Sequence, residues 1–144
     1  MKKNDPINIE FIIWVNEENL SRIRKSKNLF IDATFHHPIN YNQLLIIMYK
    51  DIITEGKIPG IYILMSNRNE LNYNMIFEEV INLITFNRLL EIETMVTDSE
   101  RALMNAVKTF FLKAQRVACY FHFKEDILRN LRVYGLYKEE DKIE

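Results

Sequence analysis

The order of apolar runs predicts an α/β layered fold built on a mixed sheet. Three β-favouring runs, Leu29–Phe35, Gln43–Tyr49 and Ile58–Met65, follow one another across short connections, as the strands of an antiparallel meander do. From Asn72 the apolar spacing changes to three and four, and helical and strand-like stretches then alternate to the end. No uninterrupted apolar run approaches about 18 residues, so no membrane span is expected.

Composition narrows the class. At 144 residues the chain suits one domain. Its 19 basic and 20 acidic residues leave a net charge of -1, which lacks the basic footprint of a strong stand-alone nucleic-acid binder. Cys119 is the one cysteine, so no internal disulfide is expected and a reducing compartment fits. Met1 to Pro6 leads into a short apolar run that contains Glu10, with no small-residue cleavage site, so no signal peptide is expected.

Taken in order, Glu10 to Val15 predicts a first, edge strand. Asn16 is placed to cap a short helix, with Glu17 and Glu18 in its first turn and Arg22, Arg24 and Lys25 in its last, the charge order a helix dipole favours. Leu20 and Ile23 form its apolar stripe, and the basic residues read as a solvated helix end. The strand around Asp32 ends in His36-His37-Pro38, where Pro38 marks a loop or strand edge. The unbroken runs that follow predict strands covered on both faces, joined by the turn Glu55-Gly56-Lys57. Tyr73, Ile76, Phe77, Val80, Leu83 and Ile84 predict a helix of roughly four turns.

Ile92 to Asp98 predicts the next strand, and Ala102, Leu103, Ala106, Val107 and Phe110 the next helix stripe. Gln115 to Phe121 reads as a fifth sheet strand. A last helix is expected from about Phe123 to Tyr134, with Ile127 and Leu131 inward and Gly135 as its stop. The sequence thus divides into an N-terminal strand and helix (1–26), a core (27–137) and a charged tail (138–144). This element order is ribonuclease H-like: a mixed five-stranded sheet with an added N-terminal strand and helix. A right-handed crossover can set the Asp98 strand directly beside the Asp32 strand.

Those two acids are the candidate site. Asp32 interrupts an apolar strand, where an ionised carboxylate is costly unless paired or bound to a cation. Asp98 ends the second apolar run, and if the strands are neighbours the two carboxylates converge and can hold a divalent metal. Blander readings exist for both. Asp98 can cap the helix that begins near Ser99, with Thr97 and Glu100 as a capping box, and Asp32 can bond to backbone or hydroxyl donors.

Cys119 and His122 cannot supply the roughly four ligands of a structural zinc, and His36 and His37 could join them only if their loop folded over. A core or supporting role suits them better. Arg22, Lys108, Lys113, Arg116, Lys124, Arg129 and Arg132 can meet phosphates if they share a face, or simply solvate helix surfaces. Phe35, Tyr73 and Phe121 suit a core better than a base-stacking platform.

Four blocks carry a family resemblance. Ile31-Asp32-Ala33-Thr34-Phe35 with Pro38 and Gln43-Leu44 is the first. Ile58-Pro59, then Tyr62 to Met65 and Tyr73, is the second. Thr97-Asp98-Ser99-Glu100 with Ala102 and Ala106 is the third, and Cys119-Tyr120-Phe121-His122 with Arg129 and Gly135-Leu136 the fourth. In this order they resemble the Mutator-like element (MULE) transposase domain, the fourth being similar to its C-x-F-H signature. Phe11 to Ser26 is similar to the strand and helix that precede that domain. The resemblance implies a ribonuclease H-like fold and DDE-type, two-metal DNA strand cleavage and transfer. In it Asp32 and Asp98 match the first two acids and ligate Mg²⁺ or Mn²⁺. It also implies transposon-end DNA as partner, a homo-oligomer, and a nuclear location.

The sequence departs from the family in places. Ala33 stands where the family usually has Gly. The family's third acid lies well beyond the C-x-F-H motif, and here position 122 is followed only by residues up to 144. Glu125, Asp126, Glu139 and Glu140 are present, but none matches that acid's position. The flanking zinc modules of the family have no counterpart. The resemblance therefore implies a C-terminally truncated catalytic core, inactive by itself. The alternatives are a domesticated, non-catalytic binding module for DNA or protein, and a small metal-dependent nuclease using Asp32, Asp98 and a C-terminal acid.

Overall fold

The computed structural model describes residues 11–34, 41–85 and 91–136. Phe35, His36, His37 and Pro38 lie outside the described residues, as do Glu139 and Glu140. The elements in order are β1 (Phe11–Trp14), α1 (Glu17–Ile23), β2 (Asn28–Thr34), β3 (Gln43–Lys50), β4 (Lys57–Met65), α2 (Glu70–Thr85), β5 (Thr94–Thr97), α3 (Arg101–Phe110), β6 (Gln115–Ala118) and α4 (Tyr120–Val133).

The strands form one six-stranded sheet in the order β1-β4-β3-β2-β5-β6. β2, β3 and β4 are the antiparallel meander, β1 pairs antiparallel with β4, and β5 and β6 continue parallel beyond β2. This is the mixed, ribonuclease H-like sheet expected from the element order, with β1 as the added edge strand. The meander forms because its connections are short. β5 must run parallel to β2 because α2 carries the chain back across the sheet.

One sheet face holds the core. Leu29, Ile31, Leu45, Ile47, Tyr49, Ile61, Ile63, Met65 and Met95 are buried, and they join Leu20 and Ile23 of α1 with the stripes of α2 and α3 in one cluster. Phe77 of α2 meets Phe111 edge-on at 5.8 Å between ring centres. Each fully buried side chain of this size contributes roughly 1.5–3 kcal/mol. The other face is only half covered. Leu44, Ile46 and Met48 are partly exposed, alternating with the buried residues of β3. The expectation of strands covered on both faces is thus corrected: an apolar run alone does not tell a buried second face from a thinly covered one.

Local chemistry sets several boundaries. Asn16 caps α1, its Oδ1 accepting from the Asn19 N–H at 2.7 Å. Arg24 is no solvated helix end, because its guanidinium donates to the carbonyls of Leu83 and Ile84 at the end of α2 (2.9 and 3.0 Å). Asn69 caps α2, so that helix begins at Glu70 rather than Asn72. Gly60 is the extra residue where the β3–β4 register shifts, and a Cβ there would lie 2.8 Å from Ile23 Cδ1.

The C-terminal third differs from the sequence pattern in two places. β6 stops at Ala118 and α4 starts at Tyr120, so Phe121 belongs to the helix rather than to a strand, and the helix begins three residues before the expected Phe123. The aromatic run Tyr120–Phe123 has strand propensity, but the chain has left the sheet edge, and among the described residues no further strand stands beyond β6 to pair with it. Ile127 and Leu131 do not face a core. Ile127 is 42% exposed, Phe121 63%, and α4 buries no residue. Gly135, at φ 68, ends α4 as expected, with the Leu136 N–H donating to the Leu131 carbonyl.

Candidate functional site

The register of β2 against β5 decides the site. Asn28, Leu29 and Phe30 pair with Thr94, Met95 and Val96 in parallel. Two residues further along both chains, Asp32 stands level with Asp98. Strand alternation then puts both acids on the half-covered face with Phe30 and Val96, opposite the core. Because the strands are parallel, the acids share one end of the sheet, and neighbouring strands sit about 4.8 Å apart.

Their environments differ. The Asp32 side chain is 52% exposed. Its Oδ1 accepts the Ala33 N–H at 2.9 Å and lies 3.6 Å from His122 Nε2. Asp98 Oδ1 accepts the Ser99 N–H at 2.5 Å and is 3.3 Å from the Ser99 hydroxyl. The Oδ2 of each acid carries no hydrogen bond among the described residues. A capping box does not form. The Thr97 hydroxyl donates to the Asp98 carbonyl (3.0 Å), and Glu100 turns inward instead.

α4 closes over this end. Its start is tied to β5 by the Cys119 N–H, which donates to the Thr97 carbonyl at 2.8 Å. His122 and Asp126 lie on one helical face, four residues apart. His122 meets Asp32, and the Asp126 Oδ2 accepts from the Ser99 hydroxyl at 3.1 Å. Asp126 also sits 3.4 Å from Arg129. Among the described residues no three Cys, His, Asp or Glu side chains are grouped to hold an ion. The link from Ser99 to Asp126 escaped the sequence, whose only signal for it was an acid one helical turn after His122.

A polar cluster reaches from the fully buried Tyr73 and Gln43 on the core side to Glu100 and Arg68. The Tyr73 hydroxyl lies 3.0 Å from Glu100 Oε2 and 3.2 Å from Gln43 Oε1, and Arg68 pairs with Glu100 at 3.1 Å. Burial, and then the Glu100 carboxylate, push the Tyr73 phenol well above its usual value, so it remains a proton donor. The expected phosphate-facing bases do not all share one surface. Arg22 is drawn to Glu18 and Asp51 at the opposite end of the sheet. Arg116 lies on β6, and Lys124, Arg129 and Arg132 lie on α4.

The sheet order and strand directions define a domain of the ribonuclease H-like class. The sequence matches the family model of the MULE transposase domain over residues 28–126, and the chain belongs to that family. The match begins with β2 and ends at Asp126 in α4. Comparison with curated proteins gave no match. Among solved structures, one similar chain is in the cryo-electron microscopy structure of the simian T-cell lymphotropic virus intasome in complex with the PP2A regulatory subunit B56 gamma. It is 13% identical at a TM-score of 0.39, over 85% of this chain and 46% of that one. A second is the HTLV-2 integrase catalytic core domain in complex with magnesium, in its dimeric form, 12% identical at a TM-score of 0.37. That likeness covers 82% of this chain and 76% of the other.

Proposed function

We propose that this chain is a partial catalytic core of a MULE-type DDE transposase, acting on transposon-end DNA, with Asp32 and Asp98 as its metal-binding acids. One observation supports this most: the β2–β5 register sets the two family acids level at one sheet end. The donor chemistry suits a hard cation. Each acid keeps one oxygen outside any hydrogen bond among the described residues, and Mg²⁺ is ordinarily held by one or two carboxylates with waters and substrate phosphates completing its shell. Bound Mg²⁺ or Mn²⁺ would supply activation of an attacking oxygen and stabilisation of a leaving one. His122 Nε2 stands 3.6 Å from Asp32, and Ser99 holds Asp98 through its backbone N–H.

None of Glu125, Asp126, Glu139 and Glu140 matches the position of the family's third acid, so the reading includes inactivity of the chain alone. In this reading residues 27–137 are the core, 1–26 an extension and 138–144 a charged tail, working in the nucleus as a homo-oligomer on DNA. A second reading, a non-catalytic ribonuclease H-like module that binds DNA or protein, gains support because one oxygen of each acid is already engaged by the chain itself.

Titration with Mn²⁺, read by electron paramagnetic resonance, separates the two. The first reading expects binding that Asp32→Asn weakens at least about tenfold, the factor that about 1.4 kcal/mol represents. Equal binding by wild type and Asp32→Asn would favour the second. Cleavage of a transposon-end duplex by the chain alone, lost in Asp98→Asn, would overturn the inactivity.

A further inference from the structure

At the end of the sheet away from the acids, the β3–β4 turn is built more firmly than a six-residue connection needs. Asp51 is buried, and its Oδ2 accepts both the Thr54 N–H and the Thr54 hydroxyl at 3.0 Å. Arg22 holds its other oxygen at 3.3 Å. The Glu55 N–H closes back on the Asp51 carbonyl, the Asp51 N–H on the Gly56 carbonyl, and Glu55 takes a left-handed φ of 56. What this frame presents is apolar. Ile52 is 69% exposed and Ile53 86%. Turn tips favour small polar residues, and β-branched side chains gain nothing from standing in water there.

The surroundings carry the opposite sign to a phosphate backbone. Lys25 and Lys50 have no carboxylate partner among the described residues, and the Lys57 ammonium sits 4.3 Å above the Phe30 ring. Two hollows of about 540 and 320 Å³ flank the tip, and both are lined by Lys25, Lys50, Asp51 and Ile52. Against these stand Glu55, exposed on the turn, and Glu18, exposed on the wall of the larger hollow and paired with Arg22. Rigid isoleucines with lysines on either side match the way apolar wedges enter the minor groove, unstacking one base step while cations take the flanking phosphates.

We propose that the β3–β4 turn is a contact for duplex DNA, with Ile52 and Ile53 as the wedge and Lys25, Lys50 and Lys57 as the phosphate ligands. It rests on the DNA part of the reading above but not on the acids. Asp32 is level with Ile46, and at about 3.4 Å per residue Asp51 lies roughly 17 Å beyond, about five base-pair steps. The wedge thus grips the duplex away from any reacting bond.

The test uses the full chain and a duplex carrying 2-aminopurine at central steps, followed by anisotropy and by 2-aminopurine brightening. Wild type is expected to bind with a log-affinity against log-salt slope near -3, the value for about three phosphates, and to brighten the probe. The double variant Ile52→Ser/Ile53→Ser should lose the brightening and bind about tenfold more weakly, since burying one such side chain is worth at least that factor. Lys50→Ala should flatten the salt slope by about one. Wild-type-like binding by the isoleucine variant, the absence of brightening, or tighter binding of wild type to anionic phosphatidylserine vesicles or an acidic peptide than to DNA would each overturn the wedge. Loss of the wedge with Mn²⁺ binding intact would leave the site reading standing, and the reverse outcome would sink that reading alone.

Discussion

Replacing Tyr73 by Phe keeps the ring in the core and deletes one oxygen, which makes the consequence calculable. The hydroxyl lies 3.2 Å from Gln43 Oε1 and 3.0 Å from Glu100 Oε2, and both Tyr73 and Gln43 are fully buried. Glu100 would keep Arg68 at 3.1 Å. Gln43 would not be so served, because its Nε2 already lacks a partner among the described residues and its Oε1 would lose the one it has. A buried polar group left unsatisfied costs about 1–3 kcal/mol. For 144 residues the unfolding entropy is roughly 0.3 kcal/mol/K, so the melting temperature should fall by roughly 3–10 °C. Thermal melts followed by circular dichroism measure it. The double variant Tyr73→Phe/Gln43→Leu should cost less than the sum of the two single changes, because no orphaned amide remains. Strict additivity, or a Tyr73→Phe shift below about 1 °C, would refute the idea that this cluster is held by that hydroxyl.

Gly60→Ala should cost about 1–3 kcal/mol in urea unfolding, since the new methyl would meet Ile23 Cδ1 at 2.8 Å and the Tyr49 ring at 3.1 Å inside the packed core; an unchanged midpoint would mean α1 yields freely. The Thr54 backbone N–H, above all, holds the Asp51 carboxyl below its usual value, with the Thr54 hydroxyl and Arg22 adding to it against the effect of burial. A lowered folded pKa gives stability that is present above the unfolded value near 4 and lost as pH falls through the folded one. The urea midpoint of wild type should therefore fall more steeply than that of Asp51→Asn between about pH 5 and pH 2, and parallel profiles would remove Asp51 from the account.

Short-range chemistry made much of this protein legible before any coordinates. The meander could be read because its strands are joined by turns too short for anything else. The α2 and α3 stripes could be read because three-and-four spacing has one structural meaning. Asn16 and Gly135 marked helix ends through chemistry local to those residues. The prominence of Asp32 and Asp98 also belonged to the sequence, since a carboxylate in an apolar strand needs a reason.

What the sequence could not supply was long-range. Whether Asp32 and Asp98 share a level depends on a parallel register between strands some sixty residues apart, which no local pattern encodes. The same holds for His122 against Asp32, for Ser99 bridging Asp98 to Asp126, and for Arg24 closing the end of α2, contacts that exist only once separate elements pack. The strand-like aromatics of Tyr120–Phe123 became a helix for the same reason: propensity is a weak local bias, and position at the sheet edge outweighed it. Spacing along the chain fixes periodicity and punctuation, while only the folded packing fixes which distant side chains meet.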